Sequence, residues 1–181
     1  MNTTTYRLGP GQSALRRGRV STPGRIYLVT FATHGRQPWF ADHEAARACA
    51  RAIVDPQLWL RSRLLAWVLM PDHWHGLLAL GADDALSHRV GLLKSNASRS
   101  VAALLPDSSD VWARSFHDRA LPDQATALFH AANYLVNNPV RAGLVTDVGA
   151  YPYWDTVWLD RRATRTDESH TSYGSPTVGA A

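Results

Sequence analysis

The sequence predicts an α+β domain of ferredoxin-like type, an antiparallel sheet with helices packed on one side. Three observations carry that expectation. Strand-like and helix-like segments follow one another as β-α-β-β-α-β-α. The two central strands are separated only by Met70-Pro71-Asp72, a tight turn between antiparallel neighbours. No internal repeat is present, so residues 25–160 read as a single domain.

The elements follow in order. Ile26 to Thr33 is rich in β-branched and aromatic residues and reads as a strand. Asp42 to Val54 reads as a helix, opened by Asp42 as N-cap and stopped by Pro56. Arg63 to Leu69 and His73 to Leu80 are the two hairpin strands. Asp84 to Leu105 is the next helix, closed by Pro106, and Val111 to Ala120 contains a further strand. Asp123 to Asn137 is the last helix, closed by Pro139. Residues 1–24, with Gly9-Pro10-Gly11 and the Arg16, Arg17 and Arg19 cluster, read as a flexible basic arm. Residues 161–181 are small and polar and read as a disordered tail.

Charge and cysteine usage narrow the function classes. The formal net charge is +4 and the sequence pI about 9.6, and Lys94 is the one lysine among 19 basic residues. Arginine forks suit phosphate, although a GC-rich genome gives the same bias without a functional meaning. A moderately basic chain permits a nucleic-acid partner without requiring one. Cys49 is the single cysteine, which excludes a disulfide framework and a cysteine-built metal site. With no apolar segment of signal-peptide or membrane-spanning kind, a cytoplasmic protein is expected.

His73-Trp74-His75 opens the second hairpin strand. Alternate strand residues share a face, so the two imidazoles project together while Trp74 projects away. Two imidazoles so placed can share one metal ion, although an isolated pair is equally at home bonded to water and backbone. A histidine-triad hydrolase would need a third histidine where Leu77 stands. A zinc protease would need both histidines on a helix around a glutamate. A cupin-like site would need a histidine on a neighbouring strand, with His34 or His117 the nearest candidates.

The last helix adds a second clue. At roughly 100° per residue, Leu128, Phe129, Ala132, Leu135 and Val136 form an apolar stripe, and Tyr134 falls on the opposite, polar face with His130 and Asn138. A phenol of reference pKa about 10 is a poor nucleophile at neutral pH. It can attack a phosphodiester where a metal polarises the phosphate. Asn138 would add an oxygen from the tyrosine's own helix, giving two nitrogens and one oxygen, a set suited to Mg²⁺ or Mn²⁺, although imidazoles would also accept zinc. Pro139 directly after Asn138 disfavours helical geometry at that ligand.

Together these residues resemble a known family. Ala66 to Leu80 (AWVLMPDHWHGLLAL), Ser115 to Leu121 (SFHDRAL) and Tyr134 to Val145 (YLVNNPVRAGLV) are similar to the REP-associated tyrosine transposases, relatives of small insertion-sequence transposases. Tyr27 to Phe40 and Tyr151 to Trp158 also resemble that family's opening strand and closing segment, so the likeness runs from about Arg25 to Trp158. The resemblance implies that His73 and His75 are metal ligands, that Tyr134 is the catalytic nucleophile and that Asn138 is the third ligand. It implies cutting of single-stranded DNA beside imperfect hairpins, with a 5′-phosphotyrosine and a free 3′-hydroxyl. Asp72 stands where asparagine is common in the family; as a turn residue it is not counted among the ligands.

Single strands are held by basic grooves and aromatic platforms. Arg89, Lys94, Arg99, Arg114, Arg119 and Arg141 are the candidate DNA contacts, and Trp112, Trp154 and Trp158 the candidate platforms, the other tryptophans being assigned to the core. Neither a membrane nor a nucleotide cofactor is expected as a partner, and the chain would act as monomer or homodimer. Two rival readings remain at this stage: a hairpin-binding regulator that does not cut, and an unrelated metal-dependent hydrolase or oxygenase built on the histidine pair.

Overall fold

A computed structural model describes residues 22–105 and 110–158. The proposed arm lies almost wholly outside the described residues, as does the whole of the proposed tail, 161–181. Five strands form one antiparallel sheet in the order β4-β1-β3-β2-β5, with β1 Ile26–Ala32, β2 Arg63–Met70, β3 His73–Ala79, β4 His117–Leu121 and β5 Trp154–Thr156. The first four strands stand in the order 4-1-3-2 expected of a ferredoxin-like α+β sheet.

Helix α1 (His43–Ile53) and helix α2 (Leu86–Val101) pack against each other. They form a layer on the sheet face that carries Val29, Phe31 and Trp74, and the Lys94 ammonium of α2 stands 5.0 Å above the Phe31 ring. Asp42 caps α1 as expected, its Oδ1 accepting from the Ala45 amide at 2.8 Å. Phe31 stacks on Trp74 with ring centroids 4.9 Å apart, and both are fully buried. The Trp74 indole folds back over Gly76, its neighbour on the same face. A Cβ on Gly76 would lie 1.9 Å from the indole, so the wide ring at 74 depends on glycine at 76.

Helix α3 (Ala125–Val136) lies against β2, β3 and β5, and a single further turn, α4 (Asn138–Arg141), follows it. Leu128, Ala132, Leu135 and Val136 are buried as the stripe requires, but Phe129 is 45% exposed and does not belong to it. The break falls at Asn137, with Pro139 at the start of α4, the helical position that best tolerates proline. Gly143, at φ +70°, ends the turn in the left-handed region.

Several boundaries differ from expectation for physical reasons. Helix α2 begins at Leu86 rather than Asp84, because the Asp84 carboxylate is drawn to Ser62 and Arg89. The strand expected over 111–120 is interrupted: Trp112 forms an isolated bridge with Thr33, and regular pairing resumes only at His117. The short edge strand β5 was not anticipated, since Pro152 and a length of three residues hide it. Among the described residues, no helix is long and apolar enough to cross a membrane.

Candidate functional site

The register of the sheet fixes what the histidines meet. His75 pairs with Thr30 on one side and Val68 on the other, while His73 pairs with Ala32 and Met70. Directly paired residues share a face, so both imidazoles stand on the face opposite Trp74. Their ring centroids are 4.6 Å apart and the planes nearly perpendicular, at 87°.

Each ring is held through the same nitrogen. His73 Nδ1 donates to Asp72 Oδ1 at 2.5 Å, and Asp72 Oδ2 accepts from Arg36 Nη1 at 3.0 Å. His75 Nδ1 is hydrogen-bonded to Thr30 Oγ1 at 2.6 Å. With Nδ1 occupied in both rings, Nε2 is the nitrogen each can offer. Oriented imidazoles of this kind are how proteins prepare histidine ligands for a metal. Burial holds His75 far below the ordinary histidine range, at about 3, with the charges of His73, Arg141 and Arg36 adding to the effect. Burial also lowers His73, against the pull of Asp72. Both rings are therefore neutral near pH 7, the form that binds metal. The Asp72 carboxyl is itself lowered: burial works against this, but the hydrogen bonds from His73 and Arg36 prevail. Asp72, Arg36 and Thr30 were missed as ring-orienting groups. Thr30 could have been found as the strand residue facing His75 once the register was drawn.

Tyr134 is 61% exposed on the outer face of α3, as the helical periodicity required, and among the described residues its hydroxyl makes no hydrogen bond. Arg141, from α4, reaches back to it. The guanidinium carbon lies 3.7 Å from the phenol ring centroid, and Nη1 donates to the Tyr134 carbonyl at 2.5 Å. The other end of the fork, Nη2, donates to Asn138 Oδ1. Asn138 Nδ2 donates to the Leu135 carbonyl at 2.8 Å, so the amide oxygen is the end turned to Arg141. Helix α3 touches β2 and β3 and α4 touches β2, and the charge of Arg141 helps to lower His75.

The donor set fits a divalent ion in part. The two imidazoles present neutral, oriented rings. The Asn138 oxygen already accepts from Arg141 and has one lone pair left to share. Among the described residues, no three His, Cys, Asp or Glu side chains are grouped so as to hold a metal, and Asn138 is a neutral oxygen donor outside those types.

The six basic candidates separate. Arg89 is 3% exposed; its guanidinium is ion-paired with Asp84 and donates to the Leu58 carbonyl, so this arginine is structural and out of reach of phosphate. Lys94 donates to the Ala113 and Ser115 carbonyls at 2.8 and 2.9 Å and thereby ties the interrupted edge strand to α2. Arg99 and Arg114 are exposed at the rim of a cleft of about 650 Å³ between α2 and residues 110–114, which Lys94 also lines. Arg119 is exposed on β4, and its register places it on the histidine face beside Leu28. Of the proposed platforms, Trp112 is buried against Phe31 and Phe40 and belongs to the core. Trp154 is half-buried and donates to the Val148 carbonyl, while Trp158 is 37% exposed.

The antiparallel α+β sheet that carries the histidine pair on its central strand is a DNA-transposase fold. The chain belongs to the IS200-like transposase family, whose model matches residues 23–124. That stretch holds His73 and His75 and ends before Tyr134. Among solved structures, the chain is similar to a REP-associated tyrosine transposase bound to a REP hairpin, at 22% identity and a TM-score of 0.60, over 75% of this chain and 79% of that one. A transposase structure from Deinococcus radiodurans R1 matches at 21% identity and a TM-score of 0.45, over 65% of this chain and 93% of its own. No curated protein matches the sequence.

Proposed function

We propose that this chain is a metal-dependent tyrosine transposase that binds hairpin-forming single-stranded DNA, cuts it through a 5′-phosphotyrosine intermediate and rejoins the strands. The observation that carries this reading is the presence of two Nδ1-anchored imidazoles on one strand face and of an exposed tyrosine whose hydroxyl is unengaged among the described residues. A binder that never cuts has no use for all three. The hairpin held by the structurally similar REP-associated transposase supports a hairpin as the DNA form.

The chain's own groups divide the work. Tyr134 Oη forms a bond to phosphorus as the bond to the 3′ oxygen breaks; the phenolic proton passes to solvent, and the departing oxygen takes up a proton to become a 3′-hydroxyl. His73 and His75, with Asn138, would hold Mg²⁺ or Mn²⁺, which supplies polarisation of the scissile phosphate and offsets charge on the leaving oxygen. Because the phosphotyrosine keeps the energy of the broken bond, a 3′-hydroxyl can reverse the step without a nucleotide cofactor. Arg99, Arg114 and Arg119, which are exposed, are the residues that would meet phosphates.

The test is a denaturing gel for covalent protein–DNA adducts, using hairpin oligonucleotides with single-stranded flanks. The wild type should give an adduct, and Tyr134→Phe should retain hairpin binding and lose the adduct entirely. Cleavage by Tyr134→Phe at the wild-type rate would remove the tyrosine mechanism.

A further inference from the structure

We propose that Arg141 is a positioning residue that sets the phenol of Tyr134 for attack; this rests on the reading of Tyr134 as nucleophile. A side chain as exposed as Tyr134 has little packing to choose its rotamer, and holding it in one orientation costs side-chain entropy. Over its ring stands the Arg141 guanidinium carbon, 3.7 Å from the centroid. That guanidinium is fixed in turn at both ends of its fork, by the Tyr134 carbonyl through Nη1 and by Asn138 Oδ1 through Nη2.

The chain geometry makes this contact possible. Arg141 follows Tyr134 by seven residues, about two helical turns, which returns it to the same side of the axis. Helical side chains lean toward the N-terminus. The helical hydrogen-bond pattern runs on through the break, with Asn137 N–H to the Asn133 carbonyl and Arg141 N–H to the Asn137 carbonyl. The long arginine therefore reaches back over the asparagine and brings its guanidinium carbon over the phenol ring. Among the described residues the tyrosine hydroxyl has no hydrogen-bond partner, and at 61% exposure the side chain is open to a phosphate. Lysine could not replace this arrangement, because its single ammonium lacks the two-armed fork that meets both acceptors while the guanidinium carbon stands over the ring. A solvated phosphate contact, by contrast, would leave the fork unpaired until DNA arrived.

The two roles are separable. Arg141→Lys and Arg141→Met, in the full chain, should lower the single-turnover rate of adduct formation at saturating hairpin by about 10- to 100-fold, the scale of a small misplacement of reacting groups. Hairpin affinity and its salt dependence should stay near the wild-type values, and lysine should not rescue. An independent readout needs neither DNA nor metal: in protein labelled with fluorotyrosine, the Tyr134 resonance, assigned by its loss in Tyr134→Phe, should move in both variants. An unchanged adduct rate, or an unmoved resonance, would overturn the proposal. So would lost affinity and a reduced salt slope with a normal saturated rate, since that pattern marks a phosphate contact. If the wild type forms no adduct at all, the tyrosine mechanism falls, while the resonance still decides whether Arg141 orients the ring.

Discussion

At Asn138 two roles compete for one amide. Its Nδ2 closes the end of α3 on the Leu135 carbonyl, and its Oδ1 accepts from Arg141. As a ligand it would share that oxygen, and water could replace it, so Asn138→Ala should slow cleavage and raise the Mn²⁺ concentration needed for half-maximal rate without abolishing the adduct. As a cap alone, the variant should lose about 1 kcal/mol of stability and keep its Mn²⁺ curve. Melting temperature measured beside a Mn²⁺ titration separates the two, and an unshifted curve with a lowered melting point makes Asn138 a cap. His75 gives the site its pH behaviour. Its folded pKa, about 3, lies below the value near 6.5 of an unfolded chain. The neutral ring thus contributes stability that is complete above pH 6.5 and is lost as pH falls from there toward 3. Melting temperature of metal-free protein should drop over that window, and His75→Gln should flatten the drop. A wild-type curve as flat as the variant's would mean that His75 titrates as an exposed ring does.

At the scale of elements, the ion pair at the start of α2 explains why one basic candidate is unlike the others. Arg89, Asp84 and Ser62 tie the helix to the loop that enters β2, with Asp84 Oδ2 accepting from Ser62 Oγ at 2.6 Å and from Arg89 Nε at 2.7 Å. Removing one partner strands a buried charge, at a cost of about 3–5 kcal/mol. Arg89→Met should therefore lower the denaturant midpoint strongly, while hairpin affinity per folded molecule stays unchanged. Lost affinity in a fully stable variant would return Arg89 to the DNA surface. The sequence could not separate Arg89 from Arg99, since both sit in one helical stretch and burial depends on what packs there. Periodicity did place Tyr134 on the outer face, and alternation did put His73 and His75 together, because each depends only on local geometry. Thr30 and Asp72 as ring anchors, and Arg141 over Tyr134, depend on which strands pair and on how α4 turns. Those are tertiary facts, and no spacing encodes them.

Across the whole molecule, the candidate site joins parts with different sources of rigidity. The histidines stand on β3, between β1 and β2, and their rings are anchored by Thr30 and Asp72. Beneath them, on the other face, Trp74 and Phe31 are fully buried under the α1–α2 layer. Tyr134 instead stands exposed on α3, with Arg141 against it. A metal would then be required for chemistry but not for folding, unlike a structural zinc site, whose ligands have no fold to hold them without the ion. Treatment with EDTA should abolish adduct formation while leaving the circular dichroism spectrum and hairpin binding intact, and added Mg²⁺ or Mn²⁺ should restore cleavage. Binding to the folded state alone adds stability by mass action, about 2.7 kcal/mol at an ion concentration 100 times Kd, so the melting point should rise with Mn²⁺ from an already folded baseline. His73→Ala should remove that rise and the cleavage together. Full cleavage in excess chelator would take the metal out of the mechanism, whereas unfolding in chelator would show that the sheet does not prepare the histidines by itself.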